Sequence, residues 1–367
     1  MSQKDSVPTF TKTEGEGFFL SANGYTGFRS IHGSFYNSLQ YTRVFVITGG
    51  PGTGKSRLMQ RIAKAAEAKG CHVTYIRCSS DPESLDGAVL EKGEKRIALL
   101  DGTAPHVRVI DYPGVIDEWI DLTTCWDAGK LAKAREEICT LMDEKKAAYA
   151  RAYRFLRIAG EADRAREAEL KSALLEDKLS RAIGRELRFL HPSAHPAEEC
   201  RYLSACSMQG YRYLSPFPDE STTVAISDEY GGGHLFLDAL CALLRKEGRY
   251  RFIRFPSCYT DEKTESIYLP QNKTVYSTVL SIKKSRGINI KRFLSPKILA
   301  KSRENLRRLM RTKAEMESAA LSALKDAGEC HFSLERIYGD AMDFTKKEDL
   351  TEKLRERILS LMDTDGN

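Results

Sequence analysis

The clearest chemical signal is a glycine-rich run at residues 49–56, which reads Gly-Gly-Pro-Gly-Thr-Gly-Lys-Ser. It matches the P-loop pattern, in which backbone N–H groups surround the phosphates of a nucleotide. Glycines suit such a bend because they adopt positive φ and leave room for the ligand. Lys55 is expected to reach the β- and γ-phosphates, and Ser56 to coordinate Mg²⁺. The sequence therefore predicts binding of ATP and Mg²⁺ by Gly49, Gly50, Pro51, Gly52, Thr53, Gly54, Lys55 and Ser56.

A third strand, residues 96–101, supplies a second candidate metal ligand. Four apolar or small residues are followed by Asp101, as in a Walker B strand. A carboxylate at the carboxyl end of a strand can hold Mg²⁺, so Asp101 is predicted to share the metal with Ser56. The alternative is that Asp101 only caps the next turn.

The base that would activate water is less clearly marked. Many ATPases carry a glutamate directly after the Walker B aspartate, but Gly102 stands there. Asp81 and Glu83, just after a predicted strand at residues 72–78, and His106 are the candidates. Each has a structural alternative, as a turn residue or as a hydrogen-bonded loop histidine.

The residues on either side of the P-loop predict the elements that position it. Residues 44–47 are Val-Phe-Val-Ile, a strand buried on both faces. After the loop, Leu58 and Ile62 lie on one face of a predicted helix, and Gly70 stands where a helix C-cap belongs.

A GTPase is a weaker alternative. The segment from Val107 to Asp111 is another apolar run that ends in an aspartate, and Asp111 and Gly114 form a D-x-x-G pattern like that of switch II. No guanine-recognition motif follows, because residues 272–275, Asn-Lys-Thr-Val, lack its acid.

The chain contains an internal repeat. Residues 19–29 match residues 202–212, with identities at Leu20/Leu203, Ser21/Ser204, Ala22/Ala205, Gly27/Gly210 and Arg29/Arg212. Two further blocks match at a spacing of 168 residues, 131–136 with 299–304 and 156–161 with 324–329. Three blocks in the same order predict tandem copies of one unit.

The second copy is predicted to have a degenerate nucleotide site. Aligning Gly248 with Gly70 places Gly233 at the position of Lys55 and His234 at that of Ser56. Asp228 and Glu229 bring negative charge that repels phosphate. The second half is therefore expected to be structural or regulatory, although His234 remains able to touch a ligand.

Helix-forming residues dominate 127–190, where long helices are predicted with breaks at Gly160 and Gly184. The predicted organisation is a P-loop domain at 1–195, a linker near 192–197, and a second P-loop-like domain at 200–367. The predicted class is α/β, a three-layer P-loop NTPase fold with a mainly parallel sheet, duplicated in tandem, with long helical insertions.

The composition of the chain limits the classes of partner and the locations that we expect for this protein. The 367 residues carry a net charge of only +6, with basic and acidic residues interspersed, so nucleic acid is an unlikely partner. Nine scattered cysteines without a C-x-x-C pair indicate neither a zinc site nor a disulfide framework. No apolar run approaches the ~20 residues of a membrane span. A cytoplasmic protein without a membrane association, able to form oligomers, is expected.

The chain resembles a family of uncharacterised bacterial P-loop ATPases with two tandem nucleotide-binding-like halves. The resemblance rests on the P-loop, on residues 100–106 (Leu-Asp-Gly-Thr-Ala-Pro-His), on 112–117 with Trp126-Asp127, and on 341–344 (Ala-Met-Asp-Phe). It implies a P-loop fold and ATP binding. Members often hold a P-loop in both halves, from which Gly233 and His234 depart.

The main functional hypothesis is an ATPase whose hydrolysis drives a change between the two halves, with Lys55 and Mg²⁺ stabilising the transferred phosphoryl group. One alternative is a kinase for a small-molecule acceptor, with Asp81 as the base. Another is a nucleotide-dependent switch or scaffold that binds ATP without hydrolysing it and acts on a protein partner.

Overall fold

The computed structural model describes residues 9–11, 16–104, 111–279 and 286–363. The first half forms β1 (Thr9–Thr11), β2 (Glu16–Phe19), β3 (Ser21–Gly24), β4 (Gly27–Ser30), α1 (His32–Phe35), β5 (Arg43–Thr48), α2 (Lys55–Ala68), β6 (His72–Arg77), β7 (Leu85–Lys92), β8 (Lys95–Asp101), β9 (Asp117–Asp121), α3 (Ala128–Lys133), α4 (Arg135–Ser172) and α5 (Glu176–Leu187). The second half forms β10 (Ala197–Cys200), β11 (Ser204–Ser207), β12 (Gly210–Leu214), β13 (Thr222–Ser227), α6 (Gly233–Glu247), β14 (Arg251–Ser257), β15 (Thr260–Leu269), β16 (Thr274–Ser277), β17 (Arg286–Asn289), α7 (Pro296–Asp340) and α8 (Phe344–Asp363).

Two six-stranded sheets share one topology. Their strand orders are β2-β6-β7-β8-β5-β9 and β10-β14-β15-β16-β13-β17, so each strand of the first sheet has its counterpart in the second. In both sheets three neighbouring pairs are parallel, and the two pairs made by β7 or by β15 are antiparallel. The α/β class, the mainly parallel sheets and the duplication are thereby confirmed.

The predicted strand before the P-loop is β5, and its residues 44–47 are completely buried. It lies between β8 and β9, both parallel to it. Strand β7 was not predicted from the sequence. It contains Gly87, where a Cβ would lie only 2.9 Å from the Leu99 carbonyl oxygen, so close strand packing requires a glycine in mid-strand.

The first sheet carries long helices on one face. Helices α2 and α8 pack there, through Leu58, Ile62, Leu354 and Ile358. The cluster on the opposite face includes Tyr36 and Tyr41 from the segment after β4, and no long helix among the described residues contributes to it. The difference from a three-layer arrangement has a simple cause: β6, β7 and β8 follow one another as an antiparallel meander, which needs no crossover helix.

Helices α4 and α7, of 38 and 45 residues, pack side by side in opposite directions. Arg151 pairs with Asp326, and Glu169 accepts a hydrogen bond from Asn305 near the other end of the pair. The predicted helix breaks at Gly160 and Gly184 were wrong, since both glycines lie within continuous helices. Gly160 is instead a packing position, where a Cβ would lie 2.9 Å from the Tyr25 side chain.

The last helix of each half packs against the sheet of the other half. Helix α5 belongs by sequence to the first half, yet Leu179 and Ile183 join the core around Phe236 of α6. Reciprocally, Ile358 of α8 joins the core of the first sheet beside Ile62 of α2. Each sheet is therefore completed by the other half of the chain.

Within the described residues, no helix is both long and apolar enough to cross a membrane.

Candidate functional site

The run at residues 49–56 forms the turn between β5 and α2, and α2 begins at Lys55. Gly49, Gly52 and Gly54 have φ values of 154°, 72° and 77°, which other residues rarely adopt. Thr53 is buried, and its hydroxyl donates to the Gly50 carbonyl at 2.9 Å. The loop thus has the glycine-dependent shape that a backbone anion site requires.

Lys55 lies across this loop. Its ammonium donates to the carbonyl oxygens of Gly49 at 2.7 Å and Gly50 at 2.9 Å, and lies 3.7 Å from Asp101 Oδ2. The side chains of Lys55 and Asp101 are only 11% and 16% exposed. The predicted lysine–aspartate pair is therefore brought together at the mouth of the loop.

Asp101 ends β8, directly beside Ile47 at the end of β5. Its Oδ1 accepts the Thr103 N–H at 2.8 Å, so the turn-capping role and the position beside Lys55 coexist. The Ser56 hydroxyl accepts the Leu85 N–H at 3.0 Å. The Ser56 hydroxyl at the start of α2 and the Asp101 carboxylate at the end of β8 are oxygen ligands that suit Mg²⁺ together with phosphate oxygens.

The three candidate bases differ in position. Asp81 faces the cavity next to the loop and accepts hydrogen bonds from Ser84 and Gln209, both at 2.7 Å. Glu83 is exposed and does not line that cavity. His106 lies outside the described residues.

A cavity of about 470 Å³ opens from the loop over the ends of β6 and β8. Residues 51–56 form one end of it. The rest of its lining includes residues that the sequence analysis missed: Asp86, Lys145, Tyr149, Tyr153, His331 and Glu335. Five of these, all except Asp86, lie on the long helices α4 and α7, whose approach to the loop no local pattern could have indicated.

Helix α7 of the second half contacts the glycine-rich loop at residues 49–54 directly. A Cβ on Gly52 would lie 2.2 Å from the Glu335 carbonyl oxygen, and one on Gly50 would lie 3.2 Å from the Trp126 ring. Tyr338 of α7 packs on the same tryptophan, with ring centroids 5.3 Å apart. The loop is thus enclosed by both halves of the chain.

Three polar side chains form a connected group above the loop. Lys145 on α4 donates to His331 Nδ1 at 3.0 Å, and His331 Nε2 lies 3.6 Å from Glu335 Oε1. Burial, reinforced by the charges of Lys145 and Lys55, lowers the pKa of His331 to about 4. Burial lowers the pKa of Lys145 and, with the charge of Asp81, raises that of Glu335.

The equivalent loop of the second half holds its own charges. Asp228 accepts the N–H groups of Tyr230 and Gly233, where a P-loop would present amides to phosphate. Arg166 donates to the Tyr230 carbonyl oxygen and pairs with Asp163. The adjoining cavity, of about 810 Å³, therefore contains a loop whose amides are already engaged.

The D-x-x-G segment, on which the GTPase alternative depends, does not lie beside the glycine-rich loop. Asp111 and Gly114 form a turn closed on Asp117, which accepts the Asp111 N–H at 3.1 Å and whose carbonyl accepts the Gly114 N–H. Neither residue lines the cavity beside Lys55.

Comparisons with models of protein families, with curated proteins and with solved structures gave no match.

Proposed function

We propose that the first half binds Mg²⁺-ATP at the P-loop and hydrolyses it. One observation carries the proposal: the glycine loop, Lys55 and Asp101 converge at one end of a cavity large enough for a ligand. A P-loop NTPase fold is part of this proposal, supported by the strand–loop–helix unit and the parallel strand that ends in Asp101.

Each residue of the unit has a role in this reaction. Loop amides and the amino end of α2 would bind the phosphates. Lys55 would exchange the carbonyls of Gly49 and Gly50 for phosphate oxygens, and Ser56 and Asp101 would hold Mg²⁺, which supplies charge neutralisation when it is bound. Asp81 and Glu335 line the same cavity, and either carboxylate would orient the attacking water.

The contact between α7 and Gly52 supports coupling of hydrolysis to a change between the halves. A loop that adjusts its backbone around phosphate must move against the Glu335 carbonyl. Because α7 is 45 residues long and packs along α4, a displacement at this end would be carried across the molecule.

The test is ATP binding by calorimetry together with phosphate release, using the unchanged protein, Lys55→Ala and Asp101→Asn. Lys55→Ala is expected to weaken binding and to abolish release, and Asp101→Asn to reduce release at least ~100-fold. The exposed Lys178→Ala and Asp177→Asn on α5 are matched controls. Failure of the unchanged protein to bind ATP would refute the proposal, whereas binding without release would leave the switch alternative.

Phosphoryl transfer to a small acceptor is the second candidate. The cavity continues from Lys55 to Asp81 and Asp86, which leaves room for an acceptor beyond the phosphates. Its hydroxyl oxygen would attack the γ-phosphorus as the bond to the bridging oxygen of ADP breaks, and its proton would pass to Asp81.

Labelled γ-phosphate distinguishes the two functions. Transfer to a component of a metabolite extract, with little release in its absence, would identify a kinase; equal release with and without the extract would identify an ATPase. Asp81→Asn is expected to abolish transfer, and Glu83→Gln, which alters an exposed carboxylate nearby, is expected to leave it unchanged.

A further inference from the structure

We infer that Lys145 is a second phosphate-binding lysine, which contacts the terminal phosphate of ATP and is oriented by His331 from the second half of the chain. The inference rests on the proposed function, because it concerns the same cavity. It adds a cation from α4 to the P-loop lysine and gives α7 a specific part in nucleotide recognition.

The first support is the geometry of the lysine. Lys145 lines the cavity that begins at Lys55, and its ammonium donates to His331 Nδ1 at 3.0 Å. An ammonium group has donors only, so His331 Nδ1 must be the acceptor and Nε2 must carry the ring hydrogen. That hydrogen faces Glu335 Oε1, 3.6 Å from the nitrogen. Lys145 thus binds one ring nitrogen while Glu335 lies near the other, and two ammonium hydrogens of Lys145 remain for a ligand.

The second support comes from the repeat. Lys313 occupies the position of Lys145 in the second half, 168 residues further on. There, Glu317 replaces Tyr149 and pairs with Lys313 at 2.8 Å, and Asp163 replaces His331. Both copies therefore keep the lysine, but only the first copy has neutral side chains at the two neighbouring positions.

The third support is charge balance. In the part of the chain that the structure describes, no carboxylate lies within 4 Å of the Lys145 ammonium. His331 supplies no negative charge, since an imidazole is either neutral or cationic, and its pKa of about 4 leaves the ring neutral near pH 7. A partly buried cation gains most from an anion that arrives with the ligand. The terminal phosphate of ATP is such an anion, and ADP lacks it.

The second cavity shows the opposite arrangement. Lys263 is paired with both Asp163 and Glu167, and Lys313 with Glu317. Both lysines of the second cavity therefore already form ion pairs with carboxylates of the chain. Among the described residues, a lysine without a carboxylate partner within 4 Å is thus a feature of the cavity beside Lys55 and not of the fold as such.

The experiment measures the dissociation constants of Mg²⁺-ATP and Mg²⁺-ADP by calorimetry on the full chain. Lys145→Met is expected to weaken ATP binding about 10-fold or more and to change ADP binding by less than about 2-fold, since one charge-assisted contact is lost. Lys145→Gln, which retains a donor for His331, is expected to give the same loss and covers the case in which the methionine variant does not fold. Lys313→Met is the matched control, expected to change neither constant.

His331 is a positioning residue, and its variants test that role. His331→Ala is expected to weaken ATP binding in the same selective way, while His331→Asn, whose side-chain oxygen can accept from Lys145, is expected to restore part of it. A residue that only filled space would show no such rescue.

Equal losses for ATP and ADP, or no loss, in the folded Lys145 variants would overturn the inference while leaving the proposed function intact. Absence of ATP binding by the unchanged protein would overturn both.

Discussion

Phe19 and Tyr202, which occupy equivalent positions in the two halves, donate their backbone N–H groups to each other's carbonyl oxygens, both at 2.9 Å. Both side chains are completely buried in one cluster, together with the equivalent pair Leu156 and Leu324 of the long helices. Equivalent residues that contact each other lie on a twofold axis. The two halves are therefore related by an internal pseudo-twofold axis, and the exchange of α5 and α8 is reciprocal.

The reciprocal packing of α5 and α8 predicts that the stability of α2, the helix after the glycine-rich loop, depends on α8. Ile358→Ala on α8 is expected to cost about 3 kcal/mol, because it leaves a cavity in the first core. Hydrogen exchange should then accelerate in α2, more than in α6. The matched Ile183→Ala on α5 should produce the opposite pattern, with faster exchange in α6. Faster hydrogen exchange confined to the half that carries each mutation would contradict the reciprocal packing of α5 and α8.

The contact of Gly52 with α7 predicts an unusually costly glycine substitution. Gly52→Ala adds strain at a φ of 72° and places a Cβ 2.2 Å from the Glu335 carbonyl oxygen. Gly93 also has a positive φ, of 60°, but a Cβ there would meet no atom within 4 Å. Gly93→Ala is expected to cost about 1 kcal/mol and Gly52→Ala at least about twice as much, measured by urea unfolding. Equal losses of unfolding free energy in the two variants would show that α7 can move away from residue 52 at no cost.

The two helical glycines should respond in opposite directions. Gly184→Ala on α5 meets no neighbour and is expected to stabilise the protein by about 0.5–1 kcal/mol through helix propensity. Gly160→Ala on α4 gains the same propensity but places a Cβ 2.9 Å from the Tyr25 side chain, so it is expected to destabilise. Thermal unfolding of the two variants checks this. Stabilisation by Gly160→Ala would mean that Tyr25 can move aside.

A half-buried carboxyl in the second half predicts a pH dependence of stability. Burial raises the pKa of Glu265 to about 7, and its Oε2 accepts a hydrogen bond from Ser204 at 2.6 Å. Between pH ~4.5 and 7 the folded protein holds a proton that the unfolded chain has released, so stability falls as pH rises through this window. Glu265→Gln should remove this fall, worth at most about 3 kcal/mol.

The measurement is the free energy of unfolding at pH 5 and pH 8 for the unchanged protein and for the Gln variant. The exposed Glu262→Gln, three residues earlier, is the control and should keep the full pH dependence. An identical pH difference in the unchanged protein and in the Glu265 variant would show that another group is responsible.

Much of the site could be predicted because it depends on neighbours in the chain. The strand at 44–47, the glycine turn and the helix at Lys55 follow from local rules of burial, positive φ and periodicity, and β8 places Asp101 beside them. Gly70 and Gly248 take the positive φ expected after helices α2 and α6. The absence of a lysine at Gly233, the position equivalent to Lys55, was equally visible from the repeat.

The sequence by itself determined the repeat, the glycine-rich turn at residues 49–56 and the altered second loop, since each depends on contiguous residues or on the comparison of the two copies. Only the tertiary structure decided which half completes which sheet, and that Lys145, His331 and Glu335 face Lys55. His331 and Glu335 lie more than 270 residues from the loop, on a helix whose approach depends on the packing of α4 against α7. Such packing is the sum of many weak contacts along the two helices, so it cannot be predicted from any short sequence motif.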